Sequence, residues 1–347
     1  MTPLRIGILG CANIARVFAR DLQPSALVRV DAVASRNAAT AAAFAAAHRI
    51  PRQHASYEAL LADRDIDALY IPLPNSLHAA WAIKAAEAGK HVLCEKPLAL
   101  GLAEAQSMFA AARAHGVMLL EAFPYYFQPQ TGAMLAVLRE GAIGSVRYVH
   151  ASIGFTVMNP ANNIRMAPDL GGGALLDAGS YPLSLIRLVM GRPPTHVRAE
   201  ATWAPTGVDI SMTATLNYAG GERAHLECAM DVANHRRALI AGTAGTLETE
   251  YLNHVSAEPR GNAFGHLPSQ LRLRRGVPNT VPFEEIRSPG GSGFRFAAEA
   301  FATVVAARDF EAIELAAEAS LDNAATLEAL AASARQRREV EVQDWRR

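Results

Sequence analysis

The chain has 347 residues, of which half are apolar and 19% are charged, a composition typical of globular rather than disordered proteins. Lysine plus arginine and aspartate plus glutamate both total 33, so no net positive charge indicates binding to nucleic acid or an anionic membrane. The balanced charge therefore favours a small molecule as the partner. The length exceeds what one hydrophobic core usually supports, which predicts two domains.

The cysteines and the N-terminal segment indicate the cellular compartment of the protein. Cys11, Cys94 and Cys228 lack the spacing of a zinc site or a disulfide framework. Met1 is followed almost at once by an apolar run, without the basic region and cleavage site of a signal peptide. We therefore expect a cytoplasmic protein with no metal site.

The first 120 residues alternate short β-branched runs with alanine-rich helical stretches, which predicts βαβ units around a parallel sheet. Strands are predicted at Leu4–Leu9, Val28–Ala34, Ala68–Ile71, His91–Cys94 and Val117–Glu121. Helices are predicted at Ile14–Leu22, Ala38–His48, Tyr57–Ala62, Leu77–Ala88 and Leu102–His115. Residues 1–122 are accordingly assigned to a Rossmann domain.

The pattern changes after about residue 123. A helix at 131–140 and a strand at 146–155 precede a glycine-rich helical segment at 171–190. Alternating segments from 196 to 286 predict a mostly antiparallel sheet, and residues 294–334 return to helical periodicity. Residues 123–347 are therefore predicted to form an α+β domain for substrate binding and dimerisation, with C-terminal helices able to pack back on the first domain.

The segment RIGILGCANIARVFA joins a strand, a tight turn and a helix, the setting of a dinucleotide-binding fingerprint. Gly10 would form the turn, and the small Ala12 would let the backbone approach a pyrophosphate at the helix N-terminus. The alternative is a turn that needs small residues only for packing. The predicted cofactor contacts here are Gly10, Cys11, Ala12, Asn13 and Ile14.

The second strand ends with Ser35 and Arg36, where NAD enzymes usually carry a carboxylate for the ribose 2′-hydroxyl. A hydroxyl and a guanidinium suit a 2′-phosphate, which a carboxylate would repel. The sequence therefore favours NADP(H) over NAD. The alternative is that Arg36 is a solvated loop charge.

Two further segments, IPLPNSLH and VMLLEAFPYYFQPQ, follow strands at the edge where open α/β sheets bind ligands. Two prolines fix an extended loop, a polar residue can cap the next helix, and a histidine falls in its first turn. Alone, this pattern indicates a turn. The residues of this segment that are predicted to contact the cofactor are Pro72, Leu73, Pro74, Asn75 and His78.

Together, GILGCANIA, SR, PNSLH, CEKPLAL, EAFPYYFQPQ and GGGALLDAGSYP resemble the Gfo/Idh/MocA oxidoreductase family from residue 4 to about 295. The chain is most similar to the group with glucose-fructose oxidoreductase, dihydrodiol dehydrogenase and NADP-linked xylose dehydrogenase. The resemblance implies hydride transfer between NADP(H) and a sugar or cyclic polyol. It also implies a homodimer or higher homo-oligomer, since relatives often pair through the exposed face of the second domain's sheet.

The resemblance further implies that Glu95, Lys96 and Pro97 lie between nicotinamide and substrate, with Lys96 contacting the reacting hydroxyl and a cis Lys96–Pro97 peptide. A lysine at the carboxyl end of a central strand is also held near the ligand crevice. A surface lysine is the alternative, because lysine is rarely buried.

Asp177 and Tyr181 are four residues apart, so on a helix they share one face. With Lys96 they could form a proton relay, in which Tyr181 exchanges the proton and Asp177 orients the group. A core tyrosine with a helix-capping aspartate is the alternative. Pro182 predicts a kink at this point.

Arg165 resembles an arginine that lies close to nicotinamide and substrate in this group, although a loop arginine is the alternative. Phe123 and Phe155 complete the predicted substrate site. Tyr126 and Gln128 stand where close relatives often have arginine and histidine, which leaves the substrate open. The alternative functions are a ketosugar or dicarbonyl reductase, a redox-neutral enzyme with tightly bound NADP, and a non-catalytic NADP-binding regulator.

Overall fold

The computed structural model describes residues 2–346, which form two compact units. One unit takes in the chain up to Pro124 together with Ser292–Ser320. The other takes in Tyr125–Gly291 and the chain from Leu321 onward. The cofactor-binding and substrate-binding roles assigned to residues 1–122 and 123–347 stay predictions.

The first unit is built on a six-stranded sheet. Its strands β1 to β6 are Leu4–Leu9, Val28–Ala34, Arg52–His54, Ala68–Ile71, His91–Glu95 and Leu119–Ala122. Its helices α1 to α5 are Asn13–Asp21, Ala38–His48, Tyr57–Leu61, His78–Glu87 and Leu102–Ala114. All neighbouring strands are parallel, in the order β3-β2-β1-β4-β5-β6. The predicted Rossmann sheet is confirmed.

The sheet also contains one strand that the sequence did not predict. β3 has three residues on the sheet edge, none of them fully buried, so it lacks the apolar alternation that marks a strand. The strand order reverses between β1 and β4. The carboxyl ends of strands beside such a reversal are where open α/β sheets bind ligands.

The second unit contains helix α6 at Pro129–Arg139, helix α7 at Ser180–Met190 and a nine-stranded sheet. The strands β7 to β17 are Val146–Thr156, His196–Trp203, Asp209–Asn217, Arg223–Ala229, Asp231–Gly242, Gly245–Thr249, His254–Val255, Leu271–Arg275, Glu284–Glu285, Gly291–Ser292 and Val340–Glu341. The order of the nine-stranded sheet is β15-β14-β12-β11-β7-β10-β9-β8-β17, and β13 and β16 form a separate two-stranded sheet. β7 and β10 pair in parallel, whereas the other described pairs are antiparallel, so the predicted sheet type is confirmed.

The C-terminal helical region consists of two helices, α8 at Gly293–Ala307 and α9 at Phe310–Gln336. Arg308 separates them in a left-handed conformation with φ of 53°, which ends α8. Helix α8 belongs to the first unit. Within residues 2–346, no helix is both long and apolar enough to cross a membrane.

The glycine-rich helical segment predicted at 171–190 is irregular in its first part. It runs through 3₁₀ turns into a π-helical turn at Leu175–Gly179, which leads directly into α7. Gly173 has φ of +114°, and the buried Asp209 carboxylate accepts a hydrogen bond from the Leu175 backbone N–H at 2.6 Å. Pro182 lies in the first turn of α7, where its missing N–H is not needed. The irregularity therefore lies before Pro182 rather than at it.

Candidate active site

The turn after β1 has the shape that a dinucleotide fingerprint requires. Gly10 adopts φ of +114°, and a Cβ added there would lie 3.0 Å from the Leu73 side chain and 3.6 Å from the Tyr57 hydroxyl. Ala12 precedes α1, and no side chain of the described chain caps that helix. Its first N–H groups can therefore face an anionic ligand. These residues fit the pyrophosphate of a dinucleotide.

A polar cluster lies at the carboxyl ends of β1 and β2. Ser35 Oγ accepts a hydrogen bond from the Asn37 backbone N–H at 3.2 Å, and burial raises the pKa of the neighbouring Cys11 thiol. The exposed Arg36 lies near the Tyr57 phenol, whose pKa is raised by burial although the Arg36 charge acts to lower it. This cluster provides a cation and hydroxyl groups suited to a 2′-phosphate. Tyr57 was not predicted, because nothing in its local sequence marks it.

The loop between β4 and α4 contains four predicted cofactor residues, Pro72, Leu73, Pro74 and Asn75. The fifth, His78, requires a correction. Its ring is fully buried, with Nδ1 2.9 Å from the Pro97 carbonyl oxygen and Nε2 2.8 Å from that of Leu73. His78 therefore ties two loops together and presents no surface to a cofactor. Burial lowers its pKa.

The Glu95-Lys96-Pro97 turn follows the central strand β5. The buried Glu95 accepts a hydrogen bond from the Tyr70 hydroxyl at 2.5 Å, which holds the end of the strand. The Lys96–Pro97 peptide is cis, as predicted. Lys96 is partly exposed at the carboxyl end of the strand, the position from which a side chain reaches the ligand crevice.

The buried carboxyl group of Glu121, on the neighbouring strand β6, supports the Glu95-Lys96-Pro97 turn. Glu121 in β6 is paired in register with Cys94, and its Oε1 accepts a hydrogen bond from the Leu98 backbone N–H at 2.9 Å. Burial raises the pKa of Glu121 to about 7, opposed by the nearby Ser320 side chain, the Leu98 backbone N–H and the Lys96 charge. The sequence interpretation gave Glu121 no role, although an acidic residue inside an apolar strand was a usable signal.

In the second unit, Tyr181 lies in the first turn of α7 and is 8% exposed. Its hydroxyl accepts a hydrogen bond from Asn253 Nδ2 at 3.0 Å. The Arg236 guanidinium carbon lies 4.1 Å from the centroid of the Tyr181 ring. Neither Asn253 nor Arg236 was predicted, because they come from distant parts of the sequence. Asn253 thus fixes the phenol oxygen, and Arg236 packs against the phenol ring.

Three of the predicted substrate residues come together beside α7. Arg165 Nε donates to Asp177 Oδ2 at 2.5 Å, and the guanidinium carbon of Arg165 lies 5.6 Å from the Phe155 ring centroid. Asp177 sits in the π-helical turn that precedes Tyr181. The role predicted for Asp177, orienting Tyr181, stays a prediction.

The two residues that depart from the family pattern support this region. The Tyr126 hydroxyl donates to the Ser184 carbonyl oxygen of α7 at 2.9 Å. Gln128 Nε2 donates to the Asn253 carbonyl oxygen at 2.7 Å. Tyr126 thus contacts the helix that carries Tyr181, and Gln128 holds the segment that carries Asn253.

The predicted site residues are divided between the two units. Lys96 and Phe123 belong to the first, and Phe123 is only 2% exposed. Phe155, Arg165, Asp177 and Tyr181 belong to the second. The relay proposed to join Lys96 with Tyr181, and the substrate role of Phe123, therefore stay predictions.

A Rossmann sheet joined to a separate, mostly antiparallel α+β unit defines a class of dinucleotide-dependent oxidoreductase. Residues 4–123 match the family model described as "Oxidoreductase family, NAD-binding Rossmann fold". Residues 132–248 match the GFO/IDH/MocA C-terminal domain. The chain belongs to the Gfo/Idh/MocA oxidoreductase family, which confirms the family predicted from its motifs.

Similar proteins include both sugar dehydrogenases and reductases. D-xylose 1-dehydrogenase (NADP(+)) 2 of Haloferax volcanii is 39% identical over 245 residues, covering 71% of this chain and 75% of the relative. A 3-ketoreductase from Actinomadura kijaniata, crystallised with TDP-benzene and NADP, has a TM-score of 0.82 and 31% identity over 95% of this chain and 98% of its own. Aldose-aldose oxidoreductase from Caulobacter crescentus has a TM-score of 0.83 and 26% identity over 98% and 99%.

Proposed function

We propose that the chain catalyses reversible hydride transfer between NADP(H) and a carbinol or carbonyl carbon of a sugar or cyclic polyol. The observation that carries the proposal is the buried Tyr181 phenol, held at its oxygen by Asn253 and at its ring by Arg236. Proton transfer by a positioned side chain requires such fixed geometry. The Asn253 amide donates in its bond, so the phenolic hydrogen is not used there.

The cofactor is NADP(H) in preference to NAD(H). Gly10, Ala12 and the N-terminus of α1 would hold the pyrophosphate, while Ser35 and Arg36 would take the 2′-phosphate. The bound nicotinamide supplies the hydride acceptor or donor. The similarity to NADP-linked enzymes supports the same choice.

The residues of the chain supply the proton chemistry. In the oxidative direction Tyr181 accepts the proton of the substrate hydroxyl, and in the reductive direction it returns that proton to the carbonyl oxygen. Lys96 donates a hydrogen bond to the same oxygen and stabilises negative charge on it. Arg165 and Asp177, already ion-paired beside Phe155, position the hydroxyl groups of the substrate.

Similarity to a 3-ketoreductase favours a second candidate, in which the working direction is reduction of a ketosugar. The two candidates use the same groups with opposite proton flow. Initial rates with NADP⁺ over aldoses and cyclic polyols, compared with rates with NADPH over ketosugars and dicarbonyls, decide the favoured direction.

The test of catalysis uses Tyr181→Phe, with Tyr148→Phe on strand β7 as the matched control. We expect the first variant to lose turnover on the best substrate of the panel and the second to retain it. Absence of turnover for every substrate, despite NADPH binding, would indicate a non-catalytic regulator. Nucleotide retained through purification, with no exchange during turnover, would indicate a redox-neutral enzyme.

We also propose that the chain forms a homodimer or higher homo-oligomer through the exposed face of its nine-stranded sheet. That face presents polar and charged side chains, among them His150, Glu248 and Arg272. An antiparallel sheet with one face not covered by helices can serve as such an interface. Light scattering after size-exclusion chromatography tests this, and a monomer mass at micromolar concentration would contradict it.

A further inference from the structure

Arg236 occupies an unusual position for a charged residue. It lies on β11 opposite Ile153 of β7 and is half-buried, whereas its neighbours His235 and Arg237 are exposed. Its guanidinium carbon lies 4.1 Å from the Tyr181 ring centroid and 5.0 Å from that of Tyr251. The side chain is therefore aimed at the phenol that the proposed reaction uses.

The charge of Arg236 has no anionic partner in the part of the chain that the structure describes. Its one hydrogen bond runs from NH1 to the Tyr251 carbonyl oxygen at 3.1 Å. By contrast, Arg165 is paired with Asp177, and Arg237 lies 3.8 Å from Glu250. A guanidinium has five N–H donors, and charges removed from water are normally paired. The unused donors of Arg236 are thus suited to an anion supplied by a ligand.

Two buried acceptors near the same phenol also lack a partner among the described residues. Asn253, whose Nδ2 bonds Tyr181, has its Oδ1 buried and unsatisfied. Gln128, which bonds the Asn253 carbonyl oxygen, has its Oε1 buried and unsatisfied. Buried acceptors without donors are costly unless a ligand or water satisfies them. Hydroxyl groups of a polyhydroxylated ligand can do so.

We propose that Arg236 recognises an oxyanion, either a phosphate or a carboxylate, carried by the sugar substrate. This inference rests on the proposed function and names its substrate class. The planar guanidinium can bind either group through two parallel hydrogen bonds. Its place beside Tyr181 makes Arg236 a specificity-determining residue for the reaction.

The test compares substrates that share one carbon skeleton: glucose, glucose 6-phosphate and glucuronate. We expect kcat/KM with NADP⁺ to be about 10- to 100-fold higher for at least one anionic sugar than for glucose. The comparison of glucose 6-phosphate with glucuronate identifies which oxyanion is preferred. Arg236→Met should lower kcat/KM for the preferred anionic sugar at least about 10-fold more than for glucose, and Arg236→Lys should restore part of that difference.

The matched control is Arg139→Met, which changes an exposed arginine that bonds only a carbonyl oxygen of its own helix. It should alter none of these values, and thermal unfolding of each variant checks that it folds. Equal kcat/KM for glucose and both anionic sugars would overturn the proposal. So would an equal loss on glucose and the anionic sugars in Arg236→Met, which would show that Arg236 acts only through Tyr181.

A binding measurement separates this inference from the proposed function. Inorganic phosphate and acetate are each titrated by calorimetry into the wild-type protein and into Arg236→Met, with NADP⁺ present to fill the cofactor site. Binding of either anion that is lost in the variant supports the oxyanion site even if no sugar is turned over, in which case the proposed function fails alone. If neither anion shows binding that depends on Arg236, the inference is overturned.

Discussion

The Asn253 amide donates a hydrogen bond to the Tyr181 hydroxyl across 3.0 Å, although the two residues are 72 positions apart in the sequence. The Asn253 backbone is in turn held by Gln128, whose Nε2 donates to the Asn253 carbonyl oxygen. A loop residue therefore fixes the hydroxyl of the proposed acid-base group. This relationship leads to the first prediction.

Asn253→Ala should lower kcat by about 10-fold, because one hydrogen bond that orients the phenol is lost. NADPH affinity should not change, since Asn253 is proposed to act on the Tyr181 hydroxyl and not on the cofactor. Steady-state kinetics and cofactor titration measure the two quantities. Asn159→Ala, at an exposed loop position, is the control. An unchanged kcat in Asn253→Ala would contradict a positioning role.

Tyr181→Phe and Lys96→Ala should each lower kcat by at least about 10² to 10⁴-fold, the range typical of positioned proton transfer, while NADPH still binds. Because both residues are proposed to act on one proton, the double variant should lose much less than the product of the single losses. Rates of the four proteins on one substrate provide the test. Strict additivity would show that the two residues act independently.

Arg36→Ala should weaken NADPH binding by about 10- to 100-fold, because charge-assisted hydrogen bonds to the 2′-phosphate are lost. NADH affinity should stay within about twofold of wild type, since NADH lacks that phosphate. Fluorescence titration with both cofactors measures this, and NADH serves as the internal control. A parallel loss for both cofactors would instead indicate damage to the Tyr57 contact.

Glu121 should make stability depend on pH. Its pKa is raised from 4.5 to about 7, chiefly by burial, so the folded chain keeps the proton more strongly than the unfolded chain. The free energy of unfolding should therefore fall as pH rises from about 4.5 to about 7, and this contribution is at most about 3 kcal/mol.

Glu121→Gln should abolish this part of the pH dependence, because an amide does not titrate in this range. Chemical unfolding of both proteins at pH 5 and pH 8 measures the difference. Glu140→Gln, at an exposed position after α6, is the control. A pH dependence that persists unchanged in Glu121→Gln would assign it to other groups.

The sequence by itself determined the parallel sheet of the first unit, the mostly antiparallel sheet of the second, and the family. Strands β1, β2 and β4 have the bounds that their apolar runs predict. These features are set by local periodicity and by motifs of adjacent residues, both of which can be recognised in the amino-acid sequence alone. The turn at Gly10 was anticipated from its local motif, and the cis Lys96–Pro97 peptide from the family resemblance.

Only the tertiary structure decided which side chains meet. Asn253 and Arg236 contact Tyr181 from other elements of the second unit, and Tyr57 contacts Arg36 from α3. His78 was assigned to the cofactor from its place in a loop motif, but its ring is buried with both nitrogens within 3 Å of backbone carbonyl oxygens. Contacts between side chains distant in sequence depend on strand order, register and burial. Those quantities follow from packing of the whole unit, which the periodicity of any single segment does not specify.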